Sequence, residues 1–403
     1  MLTVDVTTPE VRQNPHPIYA RLRRESPVAR GHKMPGIGQL WLISRYQDVN
    51  HFLKSPNVVN NYGNVPGHKP QKIWFLPQIL QLFMNSMLNQ DGDDHRRLRT
   101  LVHQAFTPRR IDALHTDIEQ IVNQLLDDAA TQDTVDLLTA FSFPIPITII
   151  SKMVGVPIDK QHIFQEGADA LINANPTKFR TFFDLIFPSR RLIKYITQLI
   201  HEHKQNPQDD ILTALIDAEA DDSKLNEKEL LAMIFLLLGA GYETTAQLIT
   251  NGVFALLQNP EQWRLLCQKP ELIPTAVEEL IRYTGPTDLI NPRHLCQPIE
   301  LHGHHLPKGS ILALLPASAN RDETVFTNPD QLDITRTPNK HLGFGLGTHY
   351  CLGAPLARME TQIALRALTQ RFPNLSLAVP PETIRWRPSI TARGLQSLPV
   401  KLS

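Results

Sequence analysis

From Leu230 to Leu238 the chain reads LLAMIFLLL, without one polar side chain, and the run continues through Gly239-Ala240-Gly241. A helix that is apolar on every side cannot rest on a surface; it needs a protein body thick enough to enclose it, or a membrane. The run is well short of the ~18–20 residues that span a bilayer, so it is expected to be a buried core helix. Asn226-Glu227-Lys228-Glu229 in front of it resembles a capping box, and Asn259-Pro260 marks its end. A chain of 403 residues, 42% hydrophobic and 20% charged, can supply the surrounding body. No repeat, low-complexity tract or Gly/Ser-rich linker divides it, so one domain covering 1–403 is expected.

Lysine plus arginine number 40 and so do aspartate plus glutamate, a formal net charge of zero. That balance argues against nucleic acid or an anionic membrane as the main partner. The start, Met1-Leu-Thr-Val-Asp-Val, shows neither a basic leader nor an apolar anchor. Cysteines are few and odd in number: Cys267, Cys296 and Cys351. Both features point to a reducing cytoplasm rather than a disulfide scaffold.

Strand signals are short: Pro27-Val-Ala29 and Leu40–Ile43 around the Gly36-Ile37-Gly38 turn, Ile299–Leu301, Ile311–Leu315, and a proline-broken tail after Phe372. Helical periodicity dominates from Asp94 onward, as at Leu98, Leu101, Val102 and Ile118, Ile121, Val122, Leu125. The expected class is mainly α with a small β region.

Chemistry concentrates in Phe344-Gly-Leu-Gly-Thr-His-Tyr-Cys351-Leu-Gly-Ala-Pro-Leu-Ala-Arg358. Gly345, Gly347 and Gly353 let the backbone turn tightly or lie against a flat ligand. Pro355 is tolerated in the first turn of the helix that follows, and Leu356, Met359, Ile363 and Ala367 repeat at helical spacing. Cys351 is thus expected just before a helix N-terminus, where the dipole favours thiolate. Thiolate is a soft axial ligand for iron and pushes electron density that favours O–O cleavage. A lone cysteine is more often a small buried residue; the surrounding glycines and His349 reverse that expectation.

Inside the apolar run, Gly241 costs about 1 kcal/mol relative to alanine, a cost that asks for close approach of a flat ligand or of dioxygen. Glu243 and Thr244 follow as an acid–alcohol pair able to deliver protons. Glu279 and Arg282 stand three apart on one helix face, as do His95 and Arg99 four apart. Taken alone, each of these is an ordinary surface pattern.

Together these segments resemble the cytochrome P450 family, in particular its soluble bacterial members, from about Asn14 to Val400. The resemblance implies the haem-thiolate fold of that family, with haem (heme b, iron protoporphyrin IX) as cofactor and Cys351 as its proximal ligand. It implies that Ala240-Gly-Tyr-Glu-Thr-Thr245 is the oxygen-activation motif, with Glu243 and Thr244 as catalytic residues. His95, Arg99, Arg293 and His349 match the propionate-binding positions, and Glu279-x-x-Arg282 the buried structural pair. Asn320-Arg321-Asp322 also fits the bacterial pattern. The loop from Asn57 to Gln90 and Phe179, Phe182, Phe183 and Phe187 fall where the family places substrate-covering elements. Thr287, Leu289 and Ile290 are expected to line the pocket wall.

The implied reaction is monooxygenation of an apolar small molecule. No flavin or iron–sulfur module is present, so a ferredoxin with ferredoxin reductase is the implied electron donor. Arg96, Arg97, Arg109, Arg110 and Arg358 are candidates for its docking patch. Two rival readings are a peroxide-driven haem-thiolate catalyst and a haem sensor or carrier without turnover. The intact Glu243-Thr244 pair argues against both.

Overall fold

The computed structural model describes residues 2–34, 38–68, 78–172, 179–220, 223–387, 389 and 392–402. Gly36 and Ile37 of the expected turn, and positions 69–77 of the expected covering loop, lie outside them, as do the side chains of Phe179, Phe182 and Phe183. The chain divides into two compact units: residues 1–68, 119–144 and 244–403, and residues 69–118 and 145–243.

The first unit holds most of the sheet structure, while a two-stranded ribbon, Glu219–Ala220 with Ser223–Lys224, lies in the second. Strands run in the order Thr3–Val4, Val28–Met34, Gly38–Ile43, Ile311–Leu314, Arg293–Leu295, Val58–Val59. The expected pair is present, antiparallel, with Val28 opposite Ile43 and Ala29 opposite Leu42. Side chains alternate between the faces of a strand, and here both faces are buried. Trp41, Ile43, Leu312 and Leu314 pack with Val49, Phe52 and Leu53 on one side. Leu40, Leu42 and Ala313 pack with Tyr19, Leu22 and Leu289 on the other. A three-stranded sheet joins Ser376–Leu377, Pro399–Lys401 and Thr134–Asp136, accounting for the strand-like tail. The helices Ile273–Thr284 and Ala354–Arg371 complete the parts of this unit that matter below.

The second unit is helical, including Gln78–Met84, Gly92–Ala105, Pro144–Met153, Phe179–Gln205 and Ile211–Asp217. A buried ion pair fastens two of these helices: His203 meets Asp210 at 2.7 Å, and Asp210 caps Ile211–Asp217 by accepting from Thr213 N–H. Gly155, at φ +70°, leaves the room this pair occupies; a Cβ there would meet both side chains.

The apolar run lies in the helix Glu227–Leu257. Its start is the expected capping box: Asn226 Oδ1 accepts from the N–H groups of Lys228 and Glu229, while Glu229 Oε2 accepts from Asn226 N–H. Among the described residues it is the one helix long and apolar enough to cross a membrane by length and composition. Two thirds (67%) of its apolar window is buried within the protein, as a core helix requires.

Candidate functional site

Cys351 follows the short helical turn Gly347–His349 and precedes the helix Ala354–Arg371, whose N-cap is Gly353. The loop is shaped by its glycines where the backbone requires it. Gly347 has φ +72°, and a Cβ there would lie 2.8 Å from the carbonyl oxygen of Leu53. Phe344 O accepts Cys351 N–H at 2.9 Å, closing the loop at its base. The Cys351 side chain is half-buried, all three cysteines are thiols rather than disulfides, and the helix that starts three residues later turns its positive end toward Cys351.

The loop is fastened from outside as well. Glu278, on the helix Ile273–Thr284, accepts from Arg358 Nε at 2.6 Å and Nη2 at 2.9 Å, and from His341 Nε2 at 3.0 Å. His341 Nδ1 accepts Gly343 N–H at 3.2 Å, so its proton sits on Nε2, facing Glu278. Arg358 also donates to Tyr350 OH at 3.2 Å and lies 4.5 Å from the centre of the Phe344 ring. Burial pushes the Glu278 carboxyl up, but the hydrogen bonds from Arg358 and His341 outweigh it and hold the pKa at about 2.

One position along, Glu279 is fully buried with Arg282, which grips it from Nε at 2.7 Å and Nη2 at 2.8 Å. Asp333 N–H, Arg336 Nε and Asn339 Nδ2 each donate to the same carboxylate at 3.0 Å. The pair therefore ties its helix to the segment leading to the cysteine loop. Asn320 adds a further tie, its Oδ1 accepting Leu342 N–H at 2.7 Å.

The long helix behaves differently. Residues 230–235 and 245–256 are buried, yet Leu236, Leu237, Gly239, Gly241 and Thr244 are only partly covered and Ala240 is exposed. Leu236, Ala240 and Thr244 share one face at four-residue spacing, so the protein leaves a single stripe of this helix uncovered. A Cβ on Gly239 would meet nothing within 4 Å, whereas one on Gly241 would meet Ile150 Cδ1 at 2.6 Å. Glu243 is buried beside half-buried Thr244.

His95 is buried and Arg99 half-buried on the helix Gly92–Ala105, both on one face. Arg293 is buried on the strand Arg293–Leu295, and His349 Nε2 lies 2.6 Å from Asn60 Nδ2. Val59 pairs with His294, the residue after Arg293. Thr287 is half-buried and bridges to Ala392; Ile290 is half-buried against the Trp41–Leu314 side of the sheet. Leu289, also expected at the pocket wall, packs with Tyr19 and Leu42 in the core on the other side of the sheet.

The arginines of the expected basic patch differ in their partners. Arg358 is held by Glu278, Arg97 pairs with Glu229, and Arg96 forms an exposed 2.9 Å pair with Asp93. Arg110 Nη1 donates to Ala105 O at 3.3 Å, and Arg109 stands exposed.

The family model for cytochrome P450 matches residues 31–269 and 266–397. The polyketide biosynthesis cytochrome P450 PksS of Bacillus subtilis (strain 168) is 41% identical over 396 residues, 98% of this chain and 97% of that protein. The chain belongs to the cytochrome P450 family. A solved structure of PksS covers 99% of this chain and 100% of its own at a TM-score of 0.92. The cytochrome P450 monooxygenase PikC of Streptomyces venezuelae is 36% identical, covering 96% of this chain and 91% of that protein. P450BioI, solved in complex with a hexadec-9Z-enoic acid ligated acyl carrier protein, is 35% identical at a TM-score of 0.88, covering 98% and 99% of the two chains. The protein is a haem-thiolate oxidoreductase of the P450 monooxygenase type.

The residues of this P450 fit the group its family carries. Among the described residues no cluster of three or more His, Cys, Asp or Glu could hold a bare metal ion. A metalloporphyrin brings its own equatorial nitrogens and asks the protein for one axial donor, which the half-buried Cys351 thiol can be. The uncovered stripe at Leu236, Ala240 and Thr244, with open space at Gly239, suits a flat apolar ligand. Sequence reasoning missed Glu278, His341 and Asn60; none carries a local signal, since their partners lie 63 to 289 residues away.

Proposed function

We propose that this P450 inserts one oxygen atom of dioxygen into an apolar small molecule, with electrons from a separate ferredoxin and ferredoxin reductase in the cytoplasm. The observation that carries the reading is the cysteine loop: a single thiol, held by Phe344 O at its own N–H, under the N-terminus of Ala354–Arg371. Cys351 would be the axial ligand of haem b, and His95, Arg99, Arg293 and His349 would hold its propionates, all within a single haem domain. Bound there, haem supplies the redox chemistry that divides dioxygen between product and water.

The chain's own share is protons, exclusion of water and shape. Glu243, buried on the long helix, takes protons inward, and the Thr244 hydroxyl holds a proton at Oγ1 beside the uncovered stripe. Leu236, Leu237 and Ala240 keep that stripe apolar. Thr287 and Ile290 are proposed for the pocket wall. PksS, PikC and 6-deoxyerythronolide B hydroxylase, the last 34% identical, are named for polyketide biosynthesis, a monooxygenase and a hydroxylase. P450BioI was solved with an acyl chain. These favour a polyketide or fatty-acyl substrate.

Turnover with a ferredoxin and reductase, scored as product formed per reductant consumed, tests the reading. Thr244→Ala should keep haem and substrate binding and lose product several-fold to peroxide. An unchanged ratio removes Thr244 from proton delivery; turnover with peroxide alone, at the same rate as with reductant, replaces the monooxygenase reading by the peroxide-driven one.

A further inference from the structure

We propose that Glu278 is a positioning residue that sets the charge balance of the cysteine loop: its carboxylate neutralises Arg358, and through Arg358 it tunes the reduction potential of the bound haem. The inference rests on the haem reading above.

Arg358 stands on the helix that begins just after Cys351, and it touches the loop on both sides of that residue. Its guanidinium covers the ring of Phe344, whose carbonyl holds Cys351 N–H, and it donates to Tyr350, the neighbour of Cys351 in the chain. A full positive charge so placed would draw electron density from the thiolate and favour the reduced, more negative haem. Glu278 removes that charge with two hydrogen bonds, in the two-pronged geometry that arginine and carboxylate form best. Its third partner, His341, meets the carboxylate at Nε2 and takes Gly343 N–H at Nδ1, and no contact joins it to Arg358 among the described residues. Glu278 and Arg358 are partly exposed to the same degree, 29% and 27%, so solvent weakens the effect without erasing it. The pair is also the reason Arg358 is unsuited to dock an electron donor: its charge is already answered within the protein.

A structural clamp and a charge balance make different predictions for paired substitutions. If Glu278 acts through charge, Glu278→Gln leaves Arg358 unanswered and raises the midpoint potential. Arg358→Gln leaves Glu278 unanswered and lowers it. The double variant Glu278→Gln/Arg358→Gln is neutral again and returns toward the parent. If the contacts merely hold the loop in shape, all three variants loosen it and shift the potential in one direction, the double most. The measurement is a dye-mediated spectroelectrochemical titration of the haem-loaded protein, read with the ferrous–CO band. Opposite shifts of the single variants with recovery in the double support the proposal; shifts of one sign, or none, overturn it. Should Glu278→Gln fail to take up haem, Arg358→Lys keeps the charge and loses the fork. A potential at the parent value supports the proposal, and one displaced as far as in Arg358→Gln overturns it. A parent protein without the long-wavelength CO band would sink the haem reading itself, an outcome distinct from a normal band with unresponsive potentials.

Discussion

The cysteine loop and the middle of the long helix are both glycine-containing and both proposed to face the same cofactor, yet they are built on opposite principles. Around Cys351 the backbone is held by many contacts, although the thiol itself is only half-buried. A Cβ on Gly347 would lie 2.8 Å from the Leu53 carbonyl oxygen, Phe344 O holds Cys351 N–H, and Glu278 and Glu279 gather donors from segments up to 80 residues away. Along the helix, Leu236, Ala240 and Thr244 are left uncovered, and Gly239 faces open space. A ligand atom must be held in one place, and this needs many constraints; reacting molecules must enter and leave, and this needs few. Stability belongs to the first region and exchange to the second.

The contrast is easiest to break at Cys351. Cys351→Ser should abolish the long-wavelength ferrous–CO absorption outright, while Cys267→Ser and Cys296→Ser leave it intact. A surviving band in the Cys351 variant would end the argument for a thiolate ligand. Next in size is Glu279→Gln, which strands a fully buried Arg282 beside it. Removing one partner of such a pair costs about 3–5 kcal/mol, to be read as a lower urea midpoint. A loss below about 1 kcal/mol would show that the loop does not depend on this carboxylate.

A third test concerns Glu360, on the helix that follows the cysteine and buried, its Oε1 without a hydrogen-bond partner among the described residues. Burial raises its pKa to about 8. A raised carboxyl contributes stability below its unfolded value of ~4.3 and loses that contribution as pH climbs through the folded value. Glu360→Gln mimics the protonated acid at every pH. It should match the parent near pH 4–5 and exceed it by about 2–4 kcal/mol at pH 8. Equal denaturation midpoints at both pH values would show the carboxylate to be stabilised after all.

The smallest effect sharpens the comparison directly. Gly347→Ala forces an L-residue into the left-handed region against an immovable carbonyl and should cost about 1–3 kcal/mol. Gly241→Ala meets only the tip of Ile150, which can turn aside, and gains about 1 kcal/mol of helix propensity. Its net change in melting midpoint should be close to zero. Equal losses at the two glycines would mean the helix is as tightly constrained as the loop.

What the sequence discloses and what it conceals divide along the same line. The capping box at Asn226, the strand pair at Val28 and Ile43, and Cys351 ahead of its helix were legible, because each is decided by residues within a few positions. The family resemblance supplied the buried Glu279–Arg282 pair, which spacing alone could not distinguish from a surface one. Leu289 and Arg358 have contacts the sequence does not disclose, for one shared reason. An apolar residue near an expected pocket can face the pocket or the core, and an arginine near a surface can face solvent or a carboxylate. Partners remote in sequence decide which: Tyr19 and Leu42 for Leu289, Glu278 for Arg358.

Glu279 has a consequence for how this chain must fold. Its two nearest donors come from Arg282, one turn away, but the other three arrive from residues 333–339, more than fifty positions later. A helix that buried the Glu279–Arg282 pair before that stretch arrived would shut a half-answered carboxylate away from water, at a cost of several kcal/mol. Collapse of that helix face and arrival of the late segment are therefore coupled into one step. The native burial of this helix face therefore depends on contacts of long sequence separation with the segment that leads to the cysteine loop.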